Sequence, residues 1–425
     1  MLVAAILCLL LVLLLAGMPL VFAMGAVSAV YVYFAHIDLG LLAQRSTASL
    51  DSFLILAIPF FYLAGELMNA CRLTDRIVDL SKAIVGHIHG GLAQVNIFAS
   101  MIFSGMSGSA TADATALGSV LIPAMKREGY PAPFSAAVTV ASSMVGPIIP
   151  PSVALVIYGT LANVSIGRLL LAGVAPGLVI IAAQMVFTYF VARARKFPRY
   201  TRATLPELGV AVWRGGPAIL FPVIIVGGIL LGIFSPTEAA AVAVLYGLIL
   251  GVLYRNVSAR TFWKTIETVA IGTARILLII AVASTFSWIM VREKVPHTVA
   301  TAISTVSSEP IVVLAIILAM LVLVGLLMVA SSAEIVLTPL LVPVVVQFGI
   351  DPVHFGILMV FTLIIGGGTP PVGILMFIAQ DIAKISHGQM VRAMLPYYVP
   401  LFGALAILAI FPQITLFLPR LVFGS

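Results

Sequence analysis

Two short glycine–proline stretches hold the residues of this chain best suited to binding ions. Gly146 and Ile149 lead into Pro150-Pro151, and Gly366 and Thr369 lead into Pro370-Pro371. Proline has no amide hydrogen and disfavours helix in the residue before it, so each stretch reads as two half-helices with an unwound joint. A helix that stops leaves free carbonyls at its C-terminal end and free amides at its N-terminal end. Oxygen-only ligation without a fixed carboxylate suits a hard monovalent cation such as sodium better than a transition metal. The amides beside it suit an anion. The candidate cation ligands are Gly105, Gly146 and Ile149 with the Ser104 and Ser152 hydroxyls, and, in a second set, Gly325, Gly366 and Thr369. A lone glycine would as readily serve close helix packing. Matched Gly-Pro-Pro pairs favour the site.

Other polar residues gather beside these. Ser107 and Ser109, and likewise Ser331 and Ser332, either face a substrate or satisfy the backbone of a tight tip. Asp113 and Glu334 fall just beyond the same tips, at a depth where a carboxylate is destabilising unless it is used. Each either touches ion or substrate or caps a helix. On the substrate side stand Asp113, the four serines and the turns at Pro150 and Pro370. Arg275 is the one cation inside an expected span, near its cytoplasmic end, where it can snorkel. The histidines lie in loops without metal spacing. Sodium is therefore the only ion expected, with no organic cofactor.

The elements that hold these residues repeat. Offsetting the chain by 220 residues without a gap lays Gly105, Pro123, Gly129, Gly146, Pro150 and Pro151 on Gly325, Pro343, Gly349, Gly366, Pro370 and Pro371. Interrupted apolar segments at matching places in two halves are the best sequence pointer to the substrate site of a secondary transporter. The repeats are expected over 1–210 and 211–425. Each has spans, a charged interfacial stretch (70–89 and 291–309), a re-entrant hairpin and a broken span. The hairpins, 90–125 and 310–346, have tips at Ser104 to Ser109 and Gly325 to Glu334. The broken spans run over 133–161 and 353–380. The expected fold is an all-α polytopic membrane protein of two inverted-topology repeats. In it, 90–161 and 310–380 form a mobile transport domain, and the remaining spans form a scaffold.

Composition agrees. The 425 residues are 62% apolar and 9% charged, with a mean hydropathy of +1.21, which excludes an ordinary soluble domain. Net charge +7 without basic residues among aromatics on a polar face points to membrane topology, not nucleic acid. Cys8 and Cys71 stand apart and suggest neither disulfide nor metal. Residues 1–16 lack a basic leader and a cleavage site and are taken as a retained span. Five crossings per half require opposite orientations. With the basic loop Arg193–Arg214 in the cytoplasm, 16 of the 22 Lys and Arg fall inside. Only Arg45, Arg168, Arg292, Lys294 and Arg420 fall outside, and Arg275 is within a span. Both termini are then expected in the periplasm. There is no HExxH, P-loop or GxSxG. An intramembrane enzyme would need a base beside Ser107 or Asp113, and no histidine or lysine is placed to serve.

Several motifs together resemble a known family. Phe103-Ser-Gly-Met-Ser-Gly-Ser-Ala-Thr-Ala-Asp113, Ala116-Leu-Gly-Ser-Val-Leu-Ile-Pro-Ala-Met125 and Gly146-Pro-Ile-Ile-Pro-Pro151 are similar to the large membrane subunit of tripartite ATP-independent periplasmic (TRAP) transporters. So are Ser235-Pro-Thr-Glu-Ala-Ala-Ala-Val242 and Gly368-Thr-Pro-Pro-Val-Gly373. The resemblance covers essentially the whole chain. It implies an elevator-type, sodium-coupled carrier in a bacterial inner membrane for carboxylates, dicarboxylates or sugar acids. It also implies two partners, a small four-helix membrane subunit and a soluble periplasmic binding protein. The same sodium ligands carry over, as do Ser107 and Ser109 on the substrate side. No small subunit is expected to be fused ahead of the first span. A stand-alone sodium–carboxylate symporter would share the fold and the ion sites.

Overall fold

The computed structural model describes residues 2–71, 73–370 and 373–424; Arg72, Pro371 and Val372, singled out above, lie outside the described residues. The described residues form helices α1 (Leu2–Leu15), α2 (Leu20–Phe34), α3 (Gly40–Leu50), α4 (Ala57–Ala70) and α5 (Thr74–Val85). There follow α6 (Gly91–Ser107), α7 (Ala110–Arg127), α8 (Ala132–Ser143), α9 (Val153–Ala162) and α10 (Ile166–Ala194). The second half holds α11 (Leu205–Leu230), α12 (Pro236–Leu253), α13 (Ala259–Arg292), α14 (Val295–Ser304), α15 (Pro310–Leu327) and α16 (Ala330–Gln347). It ends with α17 (Pro352–Gly367), α18 (Ile374–Ala383), α19 (His387–Met394), α20 (Tyr398–Ile410) and α21 (Pro412–Phe423). Eight helical segments are long and apolar enough to cross a membrane, so the protein is multi-pass.

The helix starts are written in the sequence. Ser152, Ser258 and Asp351 accept first-turn amides from Leu155, Thr261 and Val353 at 3.1, 3.2 and 2.7 Å. Ser235-Pro-Thr-Glu238, one of the family-like motifs, is a capping box. The Glu238 carboxylate accepts the Ser235 amide at 2.8 Å, and the Ser235 hydroxyl accepts the Glu238 amide at 3.3 Å.

Helix for helix, the second half follows the first at the same offset of 220. The bounds of α16 reproduce those of α7, and α5, α6 and α9 match α14, α15 and α18 to within one residue at either end. Each half thus carries a hairpin (α6–α7, α15–α16) and a broken helix (α8–α9, α17–α18). Where the second half runs unbroken through α13, the first is split into α3 and α4. Asp51-Ser52 stands there in place of Ile271-Gly272, and short polar side chains compete with helical backbone bonds.

The core lies in the hairpins and broken helices of both halves. Phe134–Ser143 of α8 and Val353–Gly366 of α17 are buried on every face, and their buried hydroxyls bond backbone carbonyls or neighbouring polar groups. Around them α7 packs on α8, α15 and α16 on α17, and α18 on α7 and α8. A second group joins α4 and α11 to α12, and α13 to α2, α3 and α4. The arm helix α5 packs on both α6 and α11, and α14 on both α13 and α16.

Four details qualify this outline. The polar stretch at 36–51 contains α3. The basic loop is shortened because α11 begins at Leu205, where Thr204 and Glu207 form a capping box. The last span divides at Pro412, which has no amide to continue α20. Finally, α10, α20 and α21 pack on the hairpin bundle and on one another, whereas the sequence groups them with the other spans.

Candidate ion and substrate site

The first hairpin turns in two residues, Gly108-Ser109, a tighter tip than the expected Ser104 to Ser109. Gly108 has φ +58°, and a Cβ there would lie 2.6 Å from the Pro151 carbonyl oxygen and 3.2 Å from Ser152 Cα. Glycine alone lets the tip rest on the break between α8 and α9. The expected partner of the Gly105 carbonyl, the Ser109 amide, instead donates to Ser107 Oγ at 3.3 Å. Among the described residues no amide donates to the carbonyls of Gly105, Gly146 or Ile149. Those are the three carbonyls named from sequence.

A carboxylate stands with them. Asp113 is fully buried; the Ser104 hydroxyl donates to its Oδ2 at 2.8 Å and the Ser107 hydroxyl to its Oδ1. A Cβ on Gly146 would fall 2.9 Å from Asp113 Oδ2 and 3.2 Å from the Ala110 amide. A buried carboxylate therefore lies against this joint. Ser152 caps α9 and donates its hydroxyl to the Pro147 carbonyl. Ser109 caps α7, accepting the Ala112 amide at 3.5 Å.

The second joint is built on the same plan with fewer polar groups. The Gly325 carbonyl receives no amide among the described residues, but that of Gly366 accepts the Thr369 amide at 2.9 Å. The Thr369 hydroxyl donates to the Ile365 carbonyl at 2.6 Å. Gly325 and Gly366 let α15 and α17 touch, since a Cβ on Gly366 would lie 2.8 Å from Gly325 Cα. Glu334 is buried in α16, its Oε1 without a hydrogen-bond partner among the described residues. The tip is Met328-Val329, narrower than the expected Gly325 to Glu334. Gly368 lies directly against Met144, so the two joints meet.

Between the tips is a cleft of about 150 Å³, bordered by Ala110, Thr111, Met328, Val329, Gly373 and Ile374 among others. Three helices begin at it: α7, α16 and α18. No side chain caps α16 or α18, which leaves first-turn amides for a ligand. The cleft has no charged side chain in its lining. None of Ser107, Ser109, Asp113, Pro150 and Pro370 is among the residues that border it, nor are Ser331 (exposed) and Ser332 (half-buried), which follow in the first turn of α16.

Four supporting residues escaped the sequence reading. A Cβ on Gly173 would sit 2.1 Å from the Ile148 carbonyl oxygen, and one on Gly177 2.5 Å from Ile149 Cγ1, so α10 cradles the first joint. Their spacing, two glycines four apart, was a legible packing signal. Gln184 Nε2 donates to the Ala141 carbonyl at 3.0 Å, and the Tyr398 hydroxyl to the Gly368 carbonyl at 2.9 Å. Neither has a local motif. Toward the other helix group, Gly105 faces Pro222 of α11, and Gly65 of α4 faces the Met106 and Ser107 carbonyls.

Comparison with known proteins gives this geometry a family. The family described as "Tripartite ATP-independent periplasmic transporter, DctM component" matches residues 7–414. The chain is 41% identical over 414 residues to the sialic acid TRAP transporter large permease protein SiaM of Vibrio cholerae, covering 97% of each. It is 35% identical over 400 residues to the 2,3-diketo-L-gulonate TRAP transporter large permease protein YiaN of Escherichia coli, covering 94% of each. Among solved structures, the YdaH transporter of Alcanivorax borkumensis shares the fold, with TM-score 0.67 at 14% identity over 87% of each chain. The relatives are named as permeases, which matches a site built for binding and not for covalent chemistry. The chain belongs to the DctM component family of tripartite ATP-independent periplasmic transporters.

Proposed function

We propose that this protein carries a small organic anion into the cell across a bacterial cytoplasmic membrane, driven by sodium. The observation that carries the reading is the convergence of three helix N-termini on an uncharged cleft whose lining residue Ala110 lies against Gly146; the Gly146 carbonyl, like those of Gly105 and Ile149, receives no amide among the described residues. Amides at helix starts favour an anion; carbonyls at helix ends favour a cation. The related permeases named for sialic acid and 2,3-diketo-L-gulonate support a sugar acid or similar carboxylate as substrate. A cleft of about 150 Å³ is below the few hundred Å³ usual for small-molecule pockets, so the tips must part to admit a substrate of that size. The family's tripartite description supports two partners, a small membrane subunit and a periplasmic binding protein that delivers the substrate.

The hairpins and broken helices, with α10, α20 and α21, move as one body against α1–α4 and α11–α13, and the arms α5 and α14 link the two. The small-residue contacts of Gly65 and Gly105 are where such bodies slide. The test is uptake by proteoliposomes holding the chain with its membrane subunit and binding protein, over a panel of sugar acids and dicarboxylates. Accumulation that follows an imposed sodium gradient is expected; equal uptake without sodium overturns the coupling. Charge bias further supports termini in the periplasm. A periplasm-active reporter on the C-terminus should be active and one inserted after Arg202 silent. The reverse pattern overturns the orientation.

A further inference from the structure

A second cavity lies away from the tips. A cleft of about 610 Å³ opens where the start of α8, the end of α10 and α19 meet. Its wall is aromatic and fixed. Tyr397 is buried with its hydroxyl 3.2 Å from Thr188 Oγ1, and its ring centroid lies 5.2 Å from that of Phe187 and 6.2 Å from that of Phe134. Two guanidinium groups border the cleft, Arg195 from the first half and Arg392 from the second, with the Gln389 amide beside them. The Arg195 guanidinium is 5.9 Å from the Phe134 ring centroid. Both arginines are exposed, neither has an acidic partner among the described residues, and no Asp or Glu lines the cleft.

Two like charges facing one cleft repel each other until an anion joins them. Guanidinium groups bind phosphate through paired N–H donors, and basic pockets between membrane helices take anionic headgroups. The apolar wall decides the source. A free phosphate would satisfy the arginines yet leave Phe187, Val191 and Pro396 facing water, whereas a phospholipid covers both features. The cleft also sits at the ends of α8, α10 and the span that includes α19, where membrane helices meet the headgroup layer. We propose that this cleft binds an anionic phospholipid whose phosphate bridges Arg195 and Arg392. The lipid thereby ties the end of the first repeat to α19 of the second, on the body that carries the ion site.

The experiment heats the purified full chain in detergent with rising mole fractions of phosphatidylglycerol or cardiolipin. Parallel arms use phosphatidylcholine and inorganic phosphate, and native mass spectrometry counts retained lipid. The anionic lipids should raise Tm saturably, and phosphatidylcholine and phosphate should not. Arg195→Gln and Arg392→Gln should each weaken half-saturation roughly five- to tenfold, on the scale of one basic side chain at a charged membrane surface. Both variants should keep the parent Tm in phosphatidylcholine, since the side chains are exposed. Equal stabilisation by phosphatidylcholine would mean a bulk lipid effect, and equal stabilisation by phosphate a free-anion site. An unchanged response of the double variant would place the lipid elsewhere. Any of these three results overturns the proposal.

Discussion

The two joints share a backbone and differ in their polar groups. At the first, a buried carboxylate that two serines hold in place lies against Gly146, whose carbonyl, like those of Gly105 and Ile149, receives no amide among the described residues. At the second, the Gly366 carbonyl already accepts an amide, the Thr369 hydroxyl already donates, and among the described residues no carboxylate is hydrogen-bonded into the joint. The carboxylate nearest by repeat, Glu334, is one position out of register with Asp113 and has an unpartnered oxygen. The repeat thus sets where helices break, because that depends on Gly and Pro, which both halves keep. The oxygens that fill each break are chosen separately in each half. A cation should meet a stronger field at the first joint than at the second.

The largest effect tests whether the two joints travel together. A Cβ on Gly167 of α10 would lie 3.1 Å from Ile229 Cγ2 of α11, within the reach of a disulfide. Gly167→Cys with Ile229→Cys, in a chain whose exposed Cys8 is replaced by Ser, should lose nearly all uptake when oxidised and regain it when reduced. Full transport through the intact cross-link would show that α10 stays with α11. The two joints would then be gated locally and not carried as one body.

Next in size is the carboxylate. Asp113→Asn keeps the shape and removes the charge from the first joint. Losing a charge-assisted contact amounts to about 1.5–3 kcal/mol, so the sodium concentration for half-maximal uptake should rise at least roughly tenfold. Glu334→Gln, the same change outside a joint, should move it far less. If the two variants shift sodium dependence alike, the first joint holds no special advantage, and the comparison above fails.

What was legible in the sequence follows from the same division. Hairpins, broken helices and their offset were readable because proline and glycine act locally on the backbone. Gly105, Gly146 and Ile149 could be named as candidates for that reason; among the described residues their carbonyls, like those of Ile148 and Pro151, receive no amide. Asp113 was noticed as a buried charge yet assigned to the substrate. Its proximity to Gly146 depends on a tip folding back onto a break more than 30 residues later in the chain. Gln184 and Tyr398 were invisible because each reaches a carbonyl on another helix, with no sequence spacing to announce it. The packing of α10, α20 and α21 on the bundle was equally hidden, since an apolar span has the same composition whichever body it joins.

A smaller effect is expected from Thr369→Val at the second joint. The hydroxyl hydrogen is engaged by the Ile365 carbonyl at 2.6 Å, so only the oxygen lone pairs remain for an ion. Sodium half-saturation should rise several-fold, and substrate affinity at saturating sodium should stay near the parent. A shift as large as that of Asp113→Asn would make the two joints equals. No shift at all would leave Thr369 as a backbone clip.

The smallest effect concerns how each half returns to its own hairpin. The second half closes by packing α21 on its own α17 as well as on α10, whereas the first closes with a hydrogen-bonded loop. In that loop the Tyr200 amide donates to the Gly86 carbonyl at 3.0 Å, and the Gly91 amide donates to the Pro198 carbonyl at 3.1 Å. The Tyr200 hydroxyl bonds the Glu128 carboxylate, and the Lys82 ammonium lies 3.8 Å from the Tyr200 ring centroid. Burial, and then the bond to Glu128, hold the Tyr200 hydroxyl above its ordinary pKa, so it remains a donor throughout the working pH range. Tyr200→Phe keeps the ring over Lys82 and removes only that donor. The pair is largely exposed, so solvent screens most of its strength. Hydrogen exchange at the Gly91 and Tyr200 amides should quicken a few-fold, while exchange within α10 and α21 and the rate of uptake stay unchanged. If exchange spreads into α6 or uptake falls, the loop is a strut of the moving body, and the first half depends on it as the second depends on α21.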